Sequence, residues 1–173
     1  MKLSKPPAIS LSSKIAELSK LNILSLVLVA TFLGFYLGSN GEMEYNKLLL
    51  TLLGTALTAA GSGSLNHYLE RDADKKMDRT RNRPLPSGTL KPLFAVLYGM
   101  ALVVIGSVTL AYFVNLLTGF LSLLTAFLYI VVYTPLKKIT WLNTSIGSIP
   151  GAIPIIGGWT AASNSISLSL IHI

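Results

Sequence analysis

The chain alternates between long apolar runs and short polar segments. Five apolar runs are long enough to form membrane-spanning helices: Leu21–Gly38, Leu48–Leu65, Leu93–Val114, Leu116–Thr134 and Leu142–Ala162. A helix rises about 1.5 Å per residue, so the first run, which has no charged residue, would be about 27 Å long, close to the thickness of a bilayer core. The pattern predicts an all-α fold, a polytopic membrane helix bundle with five spans.

The polar segments mark the boundaries of this bundle. Residues 1–20 form a polar leader, and residues 163–173 form a tail without a clear pattern. Asn115 is the only strongly polar residue between the third and fourth runs, which predicts a tight turn there. Because the fifth run contains Pro150 and Pro154, we expect its helix to be kinked or broken.

The end of the second run consists of small residues, from Ala59 to Ser64. Small side chains let two helices pack closely in a membrane. They would also leave room for a ligand beside the helix, and the sequence leaves both interpretations open.

The composition excludes several classes of protein. With 51% hydrophobic and 12% charged residues, the chain is too apolar for an ordinary soluble domain. The net charge of +7 would suit nucleic acid, but the apolar runs favour a lipid bilayer and an anionic substrate, so no nucleic-acid partner is expected. The absence of cysteine excludes disulfides, thiolate metal sites and cysteine nucleophiles.

The distribution of basic residues predicts the topology. All but one of the 14 basic residues lie in the leader, in residues 66–91 or at Lys137 and Lys138, and the exception is Lys47 between the first two runs. The excess of basic residues in cytoplasmic loops therefore places the N-terminus and residues 66–91 on the cytoplasmic side of the cell (inner) membrane. Because both inner loops lie on one membrane face, we expect Lys137 and Lys138 to approach the 66–78 segment.

The segment Asn66–Gly88 holds the densest charge in the chain. Four oxygen-bearing side chains recur there every four residues: Asn66, Glu70, Asp74 and Asp78. On a helix this spacing predicts a stripe along one face, with a rise of about 6 Å per step. Carboxylates one turn apart repel each other, and Mg²⁺ suits such a stripe when substrate phosphates complete its coordination. We therefore predict a metal site formed by these four residues.

Basic residues interleave with the stripe and follow it. They are Arg71, Lys75, Lys76, Arg79, Arg81 and Arg83. Guanidinium groups match pairs of phosphate oxygens, so the stripe and these cations together indicate a metal-bridged diphosphate. The alternative is a solvated cytoplasmic loop, but the regular four-residue register argues against it.

Two blocks of sequence resemble a known family. Asn66-x-x-x-Glu70-x-x-x-Asp74, continued by RTRNRPLPSG over residues 79–88, resembles the first aspartate-rich motif of UbiA-type intramembrane prenyltransferases. The second block, YTPLKKITWLNT over residues 133–144, looks like the protoheme IX farnesyltransferase (heme O synthase) branch. Glu70 stands where Asp is commoner, which lengthens the ligand arm but keeps the carboxylate.

The resemblance implies a fold of about nine helices and a reaction. Farnesyl diphosphate and heme B would be converted to heme O and diphosphate, with Mg²⁺ as cofactor. The implied catalytic and metal-binding residues are Asn66, Glu70 and Asp74, and the implied diphosphate contacts are Lys75, Arg79, Arg83 and Lys137. Tyr133 would face the allylic cation or act as an anchor at the membrane interface.

The chain also departs from the family. The family has a second acidic motif after the fifth span, and these 173 residues do not contain it. We therefore expect residues 21–162 to be the N-terminal part of a prenyltransferase domain, from a fragment or a frameshifted product with part of the metal site missing. The alternatives are a prenyltransferase acting on an aromatic quinone precursor and a non-catalytic membrane protein. We expect His67 to be a polar interface residue rather than a heme ligand.

Overall fold

The computed structural model describes residues 11–137 and 139–166, and within them the secondary structure is entirely helical. The predicted all-α class is confirmed. Lys138, residues 1–10 of the leader and residues 167–173 of the tail lie outside the described residues. The helices are α1 (Leu11–Leu18), α2 (Leu21–Gly38), α3 (Tyr45–Asp74), α4 (Pro92–Phe113), α5 (Leu116–Phe127), a π-helical segment (Leu128–Tyr133), α6 (Thr134–Leu136) and α7 (Asn143–Ser163).

Four of the five predicted spans are confirmed as helices long and apolar enough to cross a membrane. They are α2, α3, α4 and the continuous helical stretch Leu116–Leu136. The fifth predicted span forms α7, whose proline, glycine and serine content keeps it out of this group. Of the two predicted outcomes, a broken helix is wrong, because α7 continues through Pro150 and Pro154, and a kink stays a prediction.

Helix α7 is held by close packing against α2. A Cβ atom on Gly34 would collide with the carbonyl oxygen of Ile155, and one on Gly158 would collide with that of Thr31. The two backbones therefore touch at two places, which supports α7 despite its prolines.

Helices α3 and α4 pack through glycine in the same way. A Cβ atom on Gly61 would lie 2.5 Å from the carbonyl oxygen of Gly99, and one on Gly106 would lie 2.6 Å from that of Gly54. The packing interpretation of the small residues in α3 is therefore confirmed.

The turn between α4 and α5 is as short as predicted. Asn115 is the N-cap of α5, and its Oδ1 accepts a hydrogen bond from the Thr118 backbone N–H at 2.7 Å. Its Nδ2 donates to the carbonyl oxygen of Thr160 at 2.8 Å. The polar residue that marks the turn therefore also ties it to α7.

The segment that follows α3 is packed against the bundle. Thr80 is buried, and its hydroxyl donates to the carbonyl oxygen of Asp74, the last residue of α3, at 3.0 Å. Leu85 is buried in a cluster with Leu18 of α1 and Ala95 of α4. These contacts argue against a freely solvated loop and fix the position of the charged side chains around it.

Candidate active site

Three of the four predicted stripe residues lie together at the C-terminal end of α3. Asn66, Glu70 and Asp74 are 1%, 9% and 6% exposed, so all three oxygen-bearing side chains are buried. Asp78 does not continue the stripe, because α3 ends at Asp74. Its exposed carboxylate instead forms an ion pair with Arg81 at 3.1 Å. The predicted helical stripe of four is therefore wrong in its last member.

Two of the predicted cations contact the stripe. Arg83 donates from Nη1 to Oδ2 of Asp74 at 2.9 Å, and Lys137 donates from Nζ to Oε1 of Glu70 at 3.1 Å. Arg83 lies in the segment after α3, and Lys137 directly follows α6. The predicted approach of Lys137 to the stripe is confirmed, so the polar segments that follow α3 and α6 meet at the same place.

A third cation, Lys20, was not among the predicted site residues. Lys20 lies between α1 and α2 in the left-handed backbone region, with φ of 48°. Its Nζ donates to Oδ1 of Asn66. Burial lowers the pKa of Lys20 below its usual value of 10.5, and the Glu70 carboxylate opposes this effect. The only signal in the sequence is a lone basic residue directly before an apolar span.

The remaining predicted cations are not at the stripe. Lys75 and Arg79 are exposed, and neither forms an ion pair with another residue in the described ranges. Each of the three stripe residues is therefore matched by one basic side chain, and each of these comes from a different segment of the chain.

An apolar cavity of about 520 Å³ begins at Lys20 and extends between the helices. Along α2 its lining residues run from Ile23 to Thr31, and Lys20 to Thr31 spans about 16 Å of helix. Ala59, Ser62 and Gly63 of α3 also line it. The small residues of α3 therefore both allow close packing of the helices and leave space for the cavity beside α3.

Two tyrosines from the π-helical segment face this cavity. The rings of Tyr129 and Tyr133 are stacked, with centroids 5.5 Å apart and planes 21° apart. Gly147 of α7 leaves room for the second ring, because a Cβ atom there would lie 2.7 Å from Cε2 of Tyr133. The structure thus places Tyr133 at the cavity; its contact with an allylic cation stays a prediction.

His67 is not the interface residue that we expected. It is 3% exposed, and its Nε2 has no hydrogen-bond partner among the described residues. The prediction is wrong because α3 is enclosed at this level, where the neighbouring Asn66 and Ser64 are also buried.

The donors at the stripe suit a hard cation such as Mg²⁺. They are two carboxylates and one amide oxygen, and the described residues contain no group of three or more His, Cys, Asp or Glu side chains able to hold a metal by itself. Mg²⁺ is usually held by one or two carboxylates together with substrate phosphates and water. The three basic side chains on these oxygens also show that positive charge is favoured there. The residues therefore fit a metal shared with a diphosphate rather than a closed protein cage.

Comparison with known proteins places the chain in a sequence family. The family model described as "UbiA prenyltransferase family" matches residues 27–173. The chain is 44% identical, over 155 residues, to a protein named protoheme IX farnesyltransferase from Aquifex aeolicus, and the match covers 89% of this chain and 53% of that relative. The chain therefore spans about half the length of this curated relative.

Two solved structures share the fold. One, from work on digeranylgeranylglyceryl phosphate synthase in membranes, has a TM-score of 0.80 at 20% identity and covers 92% of this chain and 56% of that chain. The other is a UbiA homolog from Archaeoglobus fulgidus bound to DMAPP and Mg²⁺, with a TM-score of 0.70 at 22% identity, covering 89% of this chain and 54% of that chain. At these identities the likeness concerns the arrangement of the helices.

Proposed function

The chain belongs to the UbiA prenyltransferase family, and on this basis we propose that it serves in the transfer of a farnesyl group from farnesyl diphosphate to heme B, giving heme O and diphosphate. The observation that carries the proposal is the row of three buried oxygen-bearing side chains, each facing a basic side chain, of which one, Lys20, also lines an apolar cavity. The similarity to the Aquifex aeolicus protoheme IX farnesyltransferase supports heme B as the acceptor.

The cavity and the stripe would each bind one part of the substrate. The apolar lining suits the prenyl chain, and the volume lies within the range of about 300–1,000 Å³ that is common for small-molecule sites. Lys20 belongs to both parts, because it lines the cavity and contacts Asn66. The diphosphate would therefore lie at the stripe, with the prenyl chain extending past Lys20 towards Thr31.

Asn66, Glu70 and Asp74 would hold Mg²⁺ against the diphosphate. When bound, the metal would supply positive charge that neutralises the leaving diphosphate. The UbiA homolog from Archaeoglobus fulgidus, bound to DMAPP and Mg²⁺, supports this assignment.

The basic side chains would then exchange partners. Lys20, Arg83 and Lys137 now neutralise the stripe, and in the substrate complex they would donate to phosphate oxygens instead. As the allylic C–O bond breaks, its electron pair leaves with the diphosphate, and these fixed cations stabilise the charge that develops there. The allylic carbon would then bond to the terminal carbon of the heme vinyl group, and water would add to the cation left on the other vinyl carbon and lose a proton, giving the hydroxyl group of heme O. The Tyr133 ring would lie close to the positive charge of the allylic carbon.

The same arrangement sets the membrane orientation that we propose. Lys20, Arg83 of the 66–91 segment and Lys137 meet at the stripe, and the parts of the sequence from which they come contain most of the basic residues. The positive-inside rule then puts the stripe on the cytoplasmic side of the cell membrane.

Two neighbouring aspartates, one buried in the stripe and one exposed outside it, provide the first prediction. We expect Asp74→Asn to abolish Mg²⁺-dependent binding of labelled farnesyl diphosphate to the chain in lipid nanodiscs, because it removes a buried carboxylate from the stripe. Asp72→Asn is the matched control, since the Asp72 side chain is 72% exposed and pairs with Arg71. Heme O formation, measured by chromatography, should likewise be lost in Asp74→Asn and retained in Asp72→Asn.

Two outcomes would contradict the proposal. One is equal binding by the Asp74→Asn and Asp72→Asn variants. The other is product formation with 4-hydroxybenzoate as the acceptor but not with heme B, which would favour the aromatic quinone precursor instead.

A further inference from the structure

A buried hydrogen-bonded chain connects the stripe to the π-helical segment. Asn66 and Thr134 are each 1% exposed, and Nδ2 of Asn66 donates to Oγ1 of Thr134 at 2.9 Å. The Thr134 hydroxyl in turn donates to the carbonyl oxygen of Tyr129 at 2.8 Å. The contact between Asn66 and Thr134 joins two residues that lie 68 positions apart in the chain.

The π-helical register makes this arrangement possible. In an α-helix the carbonyl of Tyr129 would accept from the backbone N–H of residue 133, but here it accepts from that of Thr134. Pro135 follows at once and has no backbone N–H to donate, which disfavours a simple α-helical continuation. Both the backbone N–H and the hydroxyl of Thr134 therefore donate to the carbonyl oxygen of Tyr129.

This geometry determines which end of the Asn66 amide faces the cation site. A threonine hydroxyl has one hydrogen, and that of Thr134 is committed to Tyr129. Its oxygen can therefore only accept from Asn66, so the amide nitrogen must face Thr134 and Oδ1 must face the other way. On that side Oδ1 accepts from the Lys20 ammonium, which has donors only.

We propose that Thr134 is a positioning residue, which holds the Asn66 amide with its oxygen towards the metal and diphosphate. The inference rests on the proposed function, because it concerns the same site. A reversed amide would present two N–H donors to a cation and would repel it. Groups that orient metal ligands typically contribute 10–100-fold to metal affinity.

The test measures metal binding and does not depend on turnover. Binding of Mn²⁺, as a paramagnetic substitute for Mg²⁺, is titrated by electron paramagnetic resonance in the presence of inorganic diphosphate, with the full chain in nanodiscs. We expect Thr134→Val to raise the apparent Kd for Mn²⁺ about tenfold. Thr134→Ser keeps the hydroxyl, so its Kd should stay within about twofold of the wild-type value.

A second buried threonine controls for the loss of a hydroxyl group. Thr51 lies in α3 like Asn66, is 0% exposed, and donates to the carbonyl oxygen of Lys47 at 2.7 Å. Thr51→Val removes a comparable hydrogen bond far from the stripe, so it should leave the Kd for Mn²⁺ unchanged.

A double variant separates positioning from a general effect on folding. In Asn66→Asp both ends of the side chain are oxygens, so its orientation no longer matters. Adding Thr134→Val to this background should change the Kd for Mn²⁺ by less than about threefold. A tenfold loss there as well would mean that Thr134 acts only through the fold, and it would overturn the inference.

The remaining outcomes are also decisive. If the wild-type chain binds Mn²⁺ with diphosphate and Thr134→Val binds it equally well, this inference fails and the proposed function stands. If the wild-type chain binds no Mn²⁺ with diphosphate, the proposed function fails and the inference fails with it.

Discussion

The middle of α3 meets α4 through glycine, whereas its C-terminal end meets its neighbours through charged and amide side chains. At Gly54 and Gly61 the backbones of the two helices touch. At Glu70 and Asp74 each buried carboxylate is matched by a cation from outside α3, Lys137 and Arg83 respectively. The middle of α3 is therefore held by close packing and its C-terminal end by charge compensation, and the same type of substitution should have different consequences in each.

The difference follows from what each contact requires. Close backbone packing tolerates no added atom, because protein interiors have few voids and the backbone cannot move aside cheaply. A paired buried charge tolerates a change of partner, provided that the new partner also carries the opposite charge. Under the proposed function, the charged end of α3 would therefore exchange its lysine and arginine partners for a metal–diphosphate complex, whereas the glycine contacts in the middle of α3 are fixed.

The largest effect is expected in the middle of α3, where glycines pack against α4. Gly61→Ala would place a Cβ atom 2.5 Å from the carbonyl oxygen of Gly99 and 2.8 Å from the backbone nitrogen of Val103. Because both are backbone atoms, we expect a loss of about 3 kcal/mol in the free energy of unfolding. Unfolding by sodium dodecyl sulfate, followed by circular dichroism, would measure this loss.

A glycine with free space around it provides the control. Gly157 also lies within a long helix, but a Cβ atom there would have no neighbour within 4 Å. Gly157→Ala should therefore be neutral or stabilising by up to about 1 kcal/mol. Equal stability of the Gly61→Ala and Gly157→Ala variants would show that the helices are not held by close glycine packing.

A smaller effect is expected at the charged end. Lys20→Met keeps an apolar side chain of similar length but removes the cation on Asn66, so we expect farnesyl diphosphate to bind about tenfold more weakly. The free energy of unfolding should fall little, because a buried ammonium is itself costly to desolvate. Equilibrium dialysis with labelled farnesyl diphosphate and the unfolding assay described above would measure the two quantities.

Another lysine of the N-terminal region is the matched control. Lys14 lies on α1 and donates to the carbonyl oxygen of Thr89 at 3.1 Å, away from the stripe. Lys14→Met should leave farnesyl diphosphate affinity unchanged. If both variants weaken binding equally, the effect comes from net charge near the membrane and not from a contact at the stripe.

These differences also explain what could be predicted from the sequence. The spacing of Asn66, Glu70 and Asp74 is a local property of one helix, and the four-residue register was enough to place them on one face. The end of that helix could not be predicted in the same way. It depends on Thr80 bonding to Asp74 and on Leu85 packing against α1 and α4.

Contacts between distant segments were predicted only where a general rule applied. The positive-inside rule brought Lys137 to the same membrane face as the stripe, and its contact with Glu70 confirms that approach. No rule pointed to Lys20, because its contact with Asn66 joins residues 46 positions apart and depends on the turn between α1 and α2. The Asn66–Thr134 hydrogen bond depends likewise on the π-helical register, which the apolar pattern does not reveal.

The smallest expected effect concerns the tyrosines, where packing and the proposed chemistry meet. Gly147→Ala would place a Cβ atom 2.7 Å from the ring of Tyr133, which is able to move, so we expect only a few-fold loss of farnesyl diphosphate affinity and no gain in stability. Gly151→Ala, one turn further along α7, meets no atom within 4 Å and should show the gain that alanine usually brings to a helix, up to about 1 kcal/mol. In a chain that also carries Tyr133→Leu, Gly147→Ala should show this gain in stability, because the ring that caused the clash is absent. If thermal unfolding shows no such gain, the glycine is not there to seat the tyrosine ring, and the contact between α7 and the π-helical segment must be of another kind.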